Sequence, residues 1–190
     1  MRVLGISGSL RRDSLNSALL RAAAERLPAG VELAEFGGLR EIPPYDADLE
    51  EQTVPDAVHE LREAIRGADA VLVATPEYNH SIPGVLKNAL DWASRPAGQS
   101  ALNGKPAATI GASTGMFGAV WAQAETRKVL GALGGRVIET ELPVSRADKL
   151  LADGRLELEL EQSERLEELL AELIASAEKA EEARVEPAAA

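Results

Sequence analysis

Residues 7–17 read Ser7-Gly8-Ser9-Leu10-Arg11-Arg12-Asp13-Ser14-Leu15-Asn16-Ser17, a stretch of small hydroxyls, one glycine and two arginines directly after the apolar run 3–6. A strand ending here and a helix starting near Asn16 would leave unpaired backbone N–H groups and the positive end of a helix dipole at the loop, which favours an anion. The hydroxyls and the glycine let a phosphate approach the backbone, and Arg11 or Arg12 can supply a charge-assisted contact. Ser14 or Asn16 could serve only as a helix cap, but a cap needs neither a second hydroxyl nor the arginines. Two better-known phosphate loops are absent: GxxxxGK followed by Ser or Thr does not occur, and Gly5 and Gly8 do not make GxGxxG. The loop also lacks the acids that would hold magnesium after a first strand. This pattern suits a monophosphate.

Two more loops have chemistry of their own. Residues 75–84 (TPEYNHSIPG) follow an apolar run and carry Tyr78, one of six aromatics in the chain. Backbone donors and acceptors in such a loop can read the polar edge of a flat heterocycle, with Tyr78 offering it a surface; the bland reading is a Pro-bounded turn with Tyr78 packed on the core. His80, one of two histidines, could assist proton transfer, although a lone loop histidine is more often a polar surface residue. Residues 112–118 (ASTGMFG) place two hydroxyls and two glycines after another strand. That suits close approach of a ligand, or merely a flexible connection.

The elements that would position these loops follow from periodicity. Runs 3–6, 31–36, 68–75, 107–112 and 136–139 read as strands, and 16–27, 54–65, 84–92, 120–133 and a last stretch carrying Leu166, Leu169, Leu170, Leu173 and Ile174 read as helices. Gly134-Gly135 fits a left-handed helix cap, and Pro83 suits a first helical turn. Residues 37–53 read as a loop, Leu156, Leu158 and Leu160 as a short strand or helix, and 181–190 as a frayed tail after one domain spanning 1–180. Strands alternating with helices indicate an α/β doubly wound parallel sheet with right-handed crossovers. Ligands of such sheets sit beyond the carboxyl ends of the strands, where strand order reverses, so the three loops would share one edge.

Composition narrows the partners. The net charge of −11 is mostly a property of residues 151–190, which hold 12 acids and 4 basic residues, whereas residues 1–40 hold 6 basic residues and 4 acids. The acidity argues against nucleic acid or an anionic membrane as partner while leaving the amino-terminal end free to receive an anion. No cysteine is present, which excludes disulfides, thiolate catalysis and Cys-based metal sites. The start MRVLGISGS lacks the pattern of a signal peptide and no run is long enough to span a membrane. A cytoplasmic location is expected.

The segments GSLRRDSLNSALL (8–20), TPEYNHSIPGVLKNALDW (75–92) and GASTGMFG (111–118) together resemble the NADPH-dependent FMN reductase family, which includes NAD(P)H:quinone, chromate and azo reductases. The resemblance covers residues 1–140 by motif and reaches the last helix by architecture. It implies a flavodoxin-like three-layer sandwich, a five-stranded parallel sheet of order 2-1-3-4-5 with helices on both faces. It also implies FMN, tightly bound or as substrate, NAD(P)H as electron donor and a small-molecule acceptor such as a quinone or flavin. Ser9, Arg11, Asn16 and Ser17 would then cradle the FMN phosphate, with Ser14 and Leu15 nearby. Pro76, Glu77, Tyr78 and Asn79 would border the isoalloxazine, and Ser113, Thr114 and Gly115 would approach the ribityl chain or ring from the opposite side. Residues 87–92 match the family helix behind the second loop and would support the interface of a homodimer or homotetramer.

Flavin carries the electron chemistry in such proteins, so no catalytic side chain and no metal are assigned. The implied turnover is ping-pong, with NAD(P)H and acceptor using one exposed face in turn. The main competitor is a flavodoxin that binds FMN and shuttles electrons between proteins without NAD(P)H turnover. Arg11, Arg12 and the scarcity of aromatics favour the reductase. A non-flavin regulatory domain on the same fold is the weaker alternative.

Overall fold

The apolar runs pair in parallel because each is followed by a segment of helical period that crosses back over the sheet. In the structure, a computed structural model that describes residues 1–185, these strands are β1 (Arg2–Ser7), β2 (Glu32–Glu35), β3 (Ala70–Ala74), β4 (Pro106–Ala112) and β5 (Arg136–Val144). Their order is β2-β1-β3-β4-β5, the order expected from the resemblance. Strand β3 is buried at every position, with Leu72 in one core and Val71 and Val73 in the other, which is why its sequence is apolar without alternation.

Helices α1 (Leu15–Ala24) and α6 (Leu160–Val185) cover one face, where Leu19, Leu20, Leu166, Leu169, Leu170 and Leu173 meet Leu72, Ala108 and Ile110. Helices α3 (Asp56–Arg66), α4 (Gly84–Ala93) and α5 (Val120–Ala132) cover the other, where Val58, Leu61, Ile65, Leu86, Leu90 and Leu130 pack on Leu4, Ile6, Val71 and Val73. Burying each such leucine or isoleucine contributes about 1.5–3 kcal/mol, so both layers are firmly seated on the sheet. The chain runs from β1 outward to β2 and then returns past β1 to β3, which makes the β1/β3 edge the switch point and opens a crevice there. Among the described residues, no helix is long and apolar enough to cross a membrane.

Four local expectations are corrected. Residues 37–53 are not simply a loop: they hold a 3-10 turn (Gly38–Glu41) and a short helix α2 (Ala47–Gln52), which Asp46 caps by accepting from the Asp48 N–H. The segment is fixed from outside, by Asn88 accepting from Tyr45 N–H at 2.7 Å and by Asn88 and Trp92 each donating to the Pro43 carbonyl at 2.8 Å. Strand β5 continues to Val144, past the expected end at Glu139. It is an edge strand, where polar residues and Pro143 are tolerated. Residues 151–156 form a hairpin of β6 (Leu151–Ala152) and β7 (Arg155–Leu156), and Leu160 already belongs to α6. Helix α6 runs through Val185, so the expected tail is helical over its first residues, and 186–190 lie outside the described residues.

The inward turn of Asn88 and Trp92 bears on the expected subunit interface. Trp92 is fully buried, and Lys87 and Asp91 pair with each other at 2.6 Å across one helical turn. Behind Trp92, Arg62 is buried and donates to the Trp92 carbonyl at 3.0 Å; burial lowers its guanidinium below the ordinary arginine range. Tyr45 packs edge-on against Trp92 and donates to Glu50, a hydrogen bond that raises its phenol above the usual value. Within the chain, Asn88 and Trp92 thus hold residues 43–45 in place.

Candidate functional site

The three loops meet at the carboxyl edge of β1, β3 and β4, around a recess of about 120 Å3. Ser9, Arg11, Ser14, Leu15 and Asn16 line it from the first loop, Pro76, Glu77 and Tyr78 from the second, and Ser113 and Thr114 from the third. Of the residues expected there, Ser17, Asn79 and Gly115 lie outside the lining, and Ala112 is an addition.

Helix α1 starts at this recess because Ser14 caps it, accepting from the N–H groups of Asn16 and Ser17 at 3.2 Å each. The Leu10, Arg12 and Asp13 N–H groups donate to no acceptor among the described residues. Arg11 and Arg12 are exposed and enter no ion pair there; of the two, only Arg11 reaches the lining. Arg40 adds a cation that the sequence reading missed, donating to the Leu10 carbonyl at 2.7 Å. Unpaired cations, free amides and a helix N-terminus are what a phosphate ester requires.

Two of the expected phosphate residues have partners in the chain itself. Asn16 is buried, donating to the Ala112 carbonyl and accepting from the Ala112 N–H, both at 3.0 Å. Its amide is therefore spent on tying the first turn of α1 to the end of β4. The Ser17 hydroxyl donates to the Glu35 carboxylate at 2.8 Å.

The second loop is a tight turn: Tyr78 and Ser81 exchange backbone hydrogen bonds at 3.1 Å, and the two residues between them, Asn79 and His80, are both left-handed (φ 53° and 60°). Asparagine and histidine tolerate this conformation better than most side chains. Tyr78 is half exposed, so its ring is available to a ligand rather than packed in the core. Glu77 has a role invisible in the sequence. Its Oε2 accepts from the N–H groups of Trp121 and Ala122 at 3.1 and 3.2 Å, capping α5, which has no side-chain cap of its own. His80 is exposed, 3.6 Å from Glu77 Oε1 and edge-on to Trp121.

The third loop is anchored to β5 by Ser113 N–H donating to Val144 O at 3.0 Å and by buried Gln123, which donates to Gly118 O at 3.0 Å and accepts from Leu142 N–H at 3.2 Å. The residue that must be glycine is Gly118 rather than Gly115. Gly118 has φ 56°, and a Cβ there would sit 2.5 Å from the Pro143 carbonyl carbon, whereas one at Gly115 would meet nothing nearer than 3.6 Å. Gly118→Ala should cost about 2–4 kcal/mol, read as a lowered midpoint in thermal unfolding, while Gly115→Ala should stay within about 0.5 kcal/mol. Equal effects would contradict this placement. Met116, Phe117 and Trp121 stand exposed at the rim, the two rings edge-to-face at 4.9 Å. Their signal in the sequence is an apolar pair between Gly115 and Gly118 with no helical or strand period to bury it.

A larger cleft, about 800 Å3, lies between β5 and the start of α6, but Glu141, Glu159, Glu161, Glu164 and Glu168 line it against Arg165 alone. Such a lining repels phosphate. The three-loop recess is the candidate site.

The model of the family described as NADPH-dependent FMN reductase matches residues 1–149, which contain the sheet and all three loops. An NAD(P)H-dependent FMN reductase of Pseudomonas aeruginosa is 49% identical over 160 residues, covering 82% of this chain and 84% of that protein. A 2-hydroxy-1,4-benzoquinone reductase of a Burkholderia species is 45% identical over 131 residues, 68% of this chain and 69% of that one. Among solved structures, the flavoenzyme NAD(P)H:(acceptor) oxidoreductase of Paracoccus denitrificans superposes with a TM-score of 0.81 at 36% identity, over 94% of this chain and 97% of that one. With the sheet order, the anion-ready first loop and these matches in agreement, the chain belongs to the NADPH-dependent FMN reductase family.

Proposed function

We propose that the three-loop recess holds FMN by its phosphate at Ser9, Arg11 and the N-terminus of α1, with the isoalloxazine between residues 76–78 and 113–114. The observation that carries this reading is the unpaired Arg11 beside free loop amides, held in register with the other two loops. Bound there, FMN would supply the redox chemistry, accepting a hydride from NAD(P)H and passing electrons to a small acceptor such as a quinone.

The chain's own residues bind and orient. The Asn16–Ala112 pair fixes the phosphate end relative to the third loop, and the cap from Glu77 fixes the second loop relative to α5. Tyr78, half exposed in the lining, marks where the ring would be reached from solvent by nicotinamide and acceptor in turn. Steady-state oxidation of NADPH with a quinone, by protein reconstituted with FMN, tests the activity. Turnover that requires FMN is expected; FMN retention without turnover would point to an electron-transfer flavodoxin instead.

The same reading takes the chain as a homodimer or homotetramer in the cytoplasm, where reduced nicotinamides are available. Its support is the exposed apolar surface of Tyr78 and Trp121 beside the recess, and sedimentation as a monomer at micromolar concentration would contradict it.

A further inference from the structure

Beyond the third loop, on the side away from Tyr78, lies a third cleft of about 550 Å3. Met116 and Phe117 form one wall, and the turn after β5 forms the other with Ser145, Arg146 and Lys149. Arg146 and Lys149 are exposed and enter no ion pair among the described residues. The lining has one carboxylate, Glu159, against these two cations. Phe117 is 56% exposed, an unusual cost for a ring of that size unless something covers it.

The turn is built rather than incidental. Arg146 is left-handed at φ 48° without being glycine, a conformation that costs an ordinary L-residue about 1–2 kcal/mol. It is held there by two hydrogen bonds to the third loop, Arg146 N–H to Gly115 O and Ala147 N–H to Ser113 O, both at 2.9 Å. The loop that walls the flavin recess through Ser113 and Thr114 therefore also carries the cationic turn on its other side.

We propose that this cleft receives the adenosine end of the nicotinamide dinucleotide, with Arg146 and Lys149 binding the 2′-phosphate that distinguishes NADPH from NADH and Phe117 facing the adenine. The placement rests on the reading that the nicotinamide reacts at the three-loop recess, because a dinucleotide leaving that recess over the third loop meets these cations directly. The first-loop cations are taken by the FMN phosphate in that reading, and Glu77 and Glu125 flank the second loop. The glutamate-lined cleft borders this one, sharing Ser145, Glu159 and Gln162 with it. A dianionic phosphate over two unpaired cations and a serine hydroxyl is a charge-matched arrangement.

The test uses FMN-loaded protein carrying Arg146→Asn, which keeps a residue tolerant of the left-handed conformation while removing the charge, and separately Lys149→Ala. The ratio of kcat/KM for NADPH to that for NADH should fall about tenfold in either variant, the effect of one charge-assisted contact. Affinity for adenosine 2′,5′-bisphosphate, measured by calorimetry, should fall by a similar factor, with that for adenosine 5′-monophosphate changed less than twofold. An equal loss for both nicotinamides would place the cations on the shared pyrophosphate and overturn the proposal, as would no change in the ratio. FMN content is measured in the same samples. Protein that retains no FMN yet binds the bisphosphate through Arg146 would sink the flavin reading and leave the phosphate site standing.

Discussion

Arg11→Ala should weaken FMN binding about 10- to 100-fold while leaving riboflavin affinity unchanged. Arg11 lines the recess, is exposed, and has no carboxylate partner among the described residues, so its charge is free for a ligand. Hydrogen bonds to charged groups contribute about 1.5–3 kcal/mol, and each 1.4 kcal/mol is about a factor of ten. Riboflavin has the ring and ribityl chain without the phosphate, which isolates the contact in question. Folding stability should move by less than about 0.5 kcal/mol, since no intrachain contact of the side chain is removed. The loss should shrink at high salt, because the contact is close to solvent. Arg12→Ala, one residue away but outside the lining, should have the smaller effect. Fluorescence titration of the apoprotein with both flavins checks all of this. Equal losses for FMN and riboflavin would move Arg11 away from the phosphate.

Asn16→Ala should lower stability by about 2–4 kcal/mol and loosen the cofactor as a consequence. Both atoms of the Asn16 amide are engaged by the backbone of Ala112, and the pair is buried. Alanine would strand one N–H and one C=O without partners, at about 1–3 kcal/mol for each group. In a chain of this size that corresponds to a fall of about 5–15 °C in the unfolding midpoint. The same change frees the first turn of α1 from the end of β4, so the phosphate end and the third loop lose their mutual register. Riboflavin and FMN affinities should fall together in this variant, unlike in Arg11→Ala. A stable variant with unaltered flavin affinity would show that Asn16 does not couple the loops.

Much of the molecule could be read locally. The uniformly apolar β3 and the leucine stripe of α6 announce a strand covered on both faces and a helix packed on a sheet. The loops at the strand ends are conspicuous because Gly, Ser, Pro and Arg interrupt apolar runs, and ten of the residues singled out line one recess. What escaped depends on partners distant in the chain. Helix α2 buries none of its residues, and its segment is fixed by Asn88 and Trp92 from α4. Asn16 reads as a phosphate residue and does line the recess, but nothing local reveals the backbone partner of its amide 96 residues away. Glu77 reads as part of a binding loop, while its role as the cap of α5 arises 44 residues downstream. Strand β5 reads short in the sequence because Glu139, Glu141 and Pro143 break the apolar alternation, which an edge strand permits.

A crystal structure of the FMN complex tests the central claim most directly. The expected result places the phosphate against Ser9, Arg11 and the first turn of α1, with the ring between Tyr78 and Ser113. A phosphate bound anywhere else, at Arg146 and Lys149 for example, would contradict it.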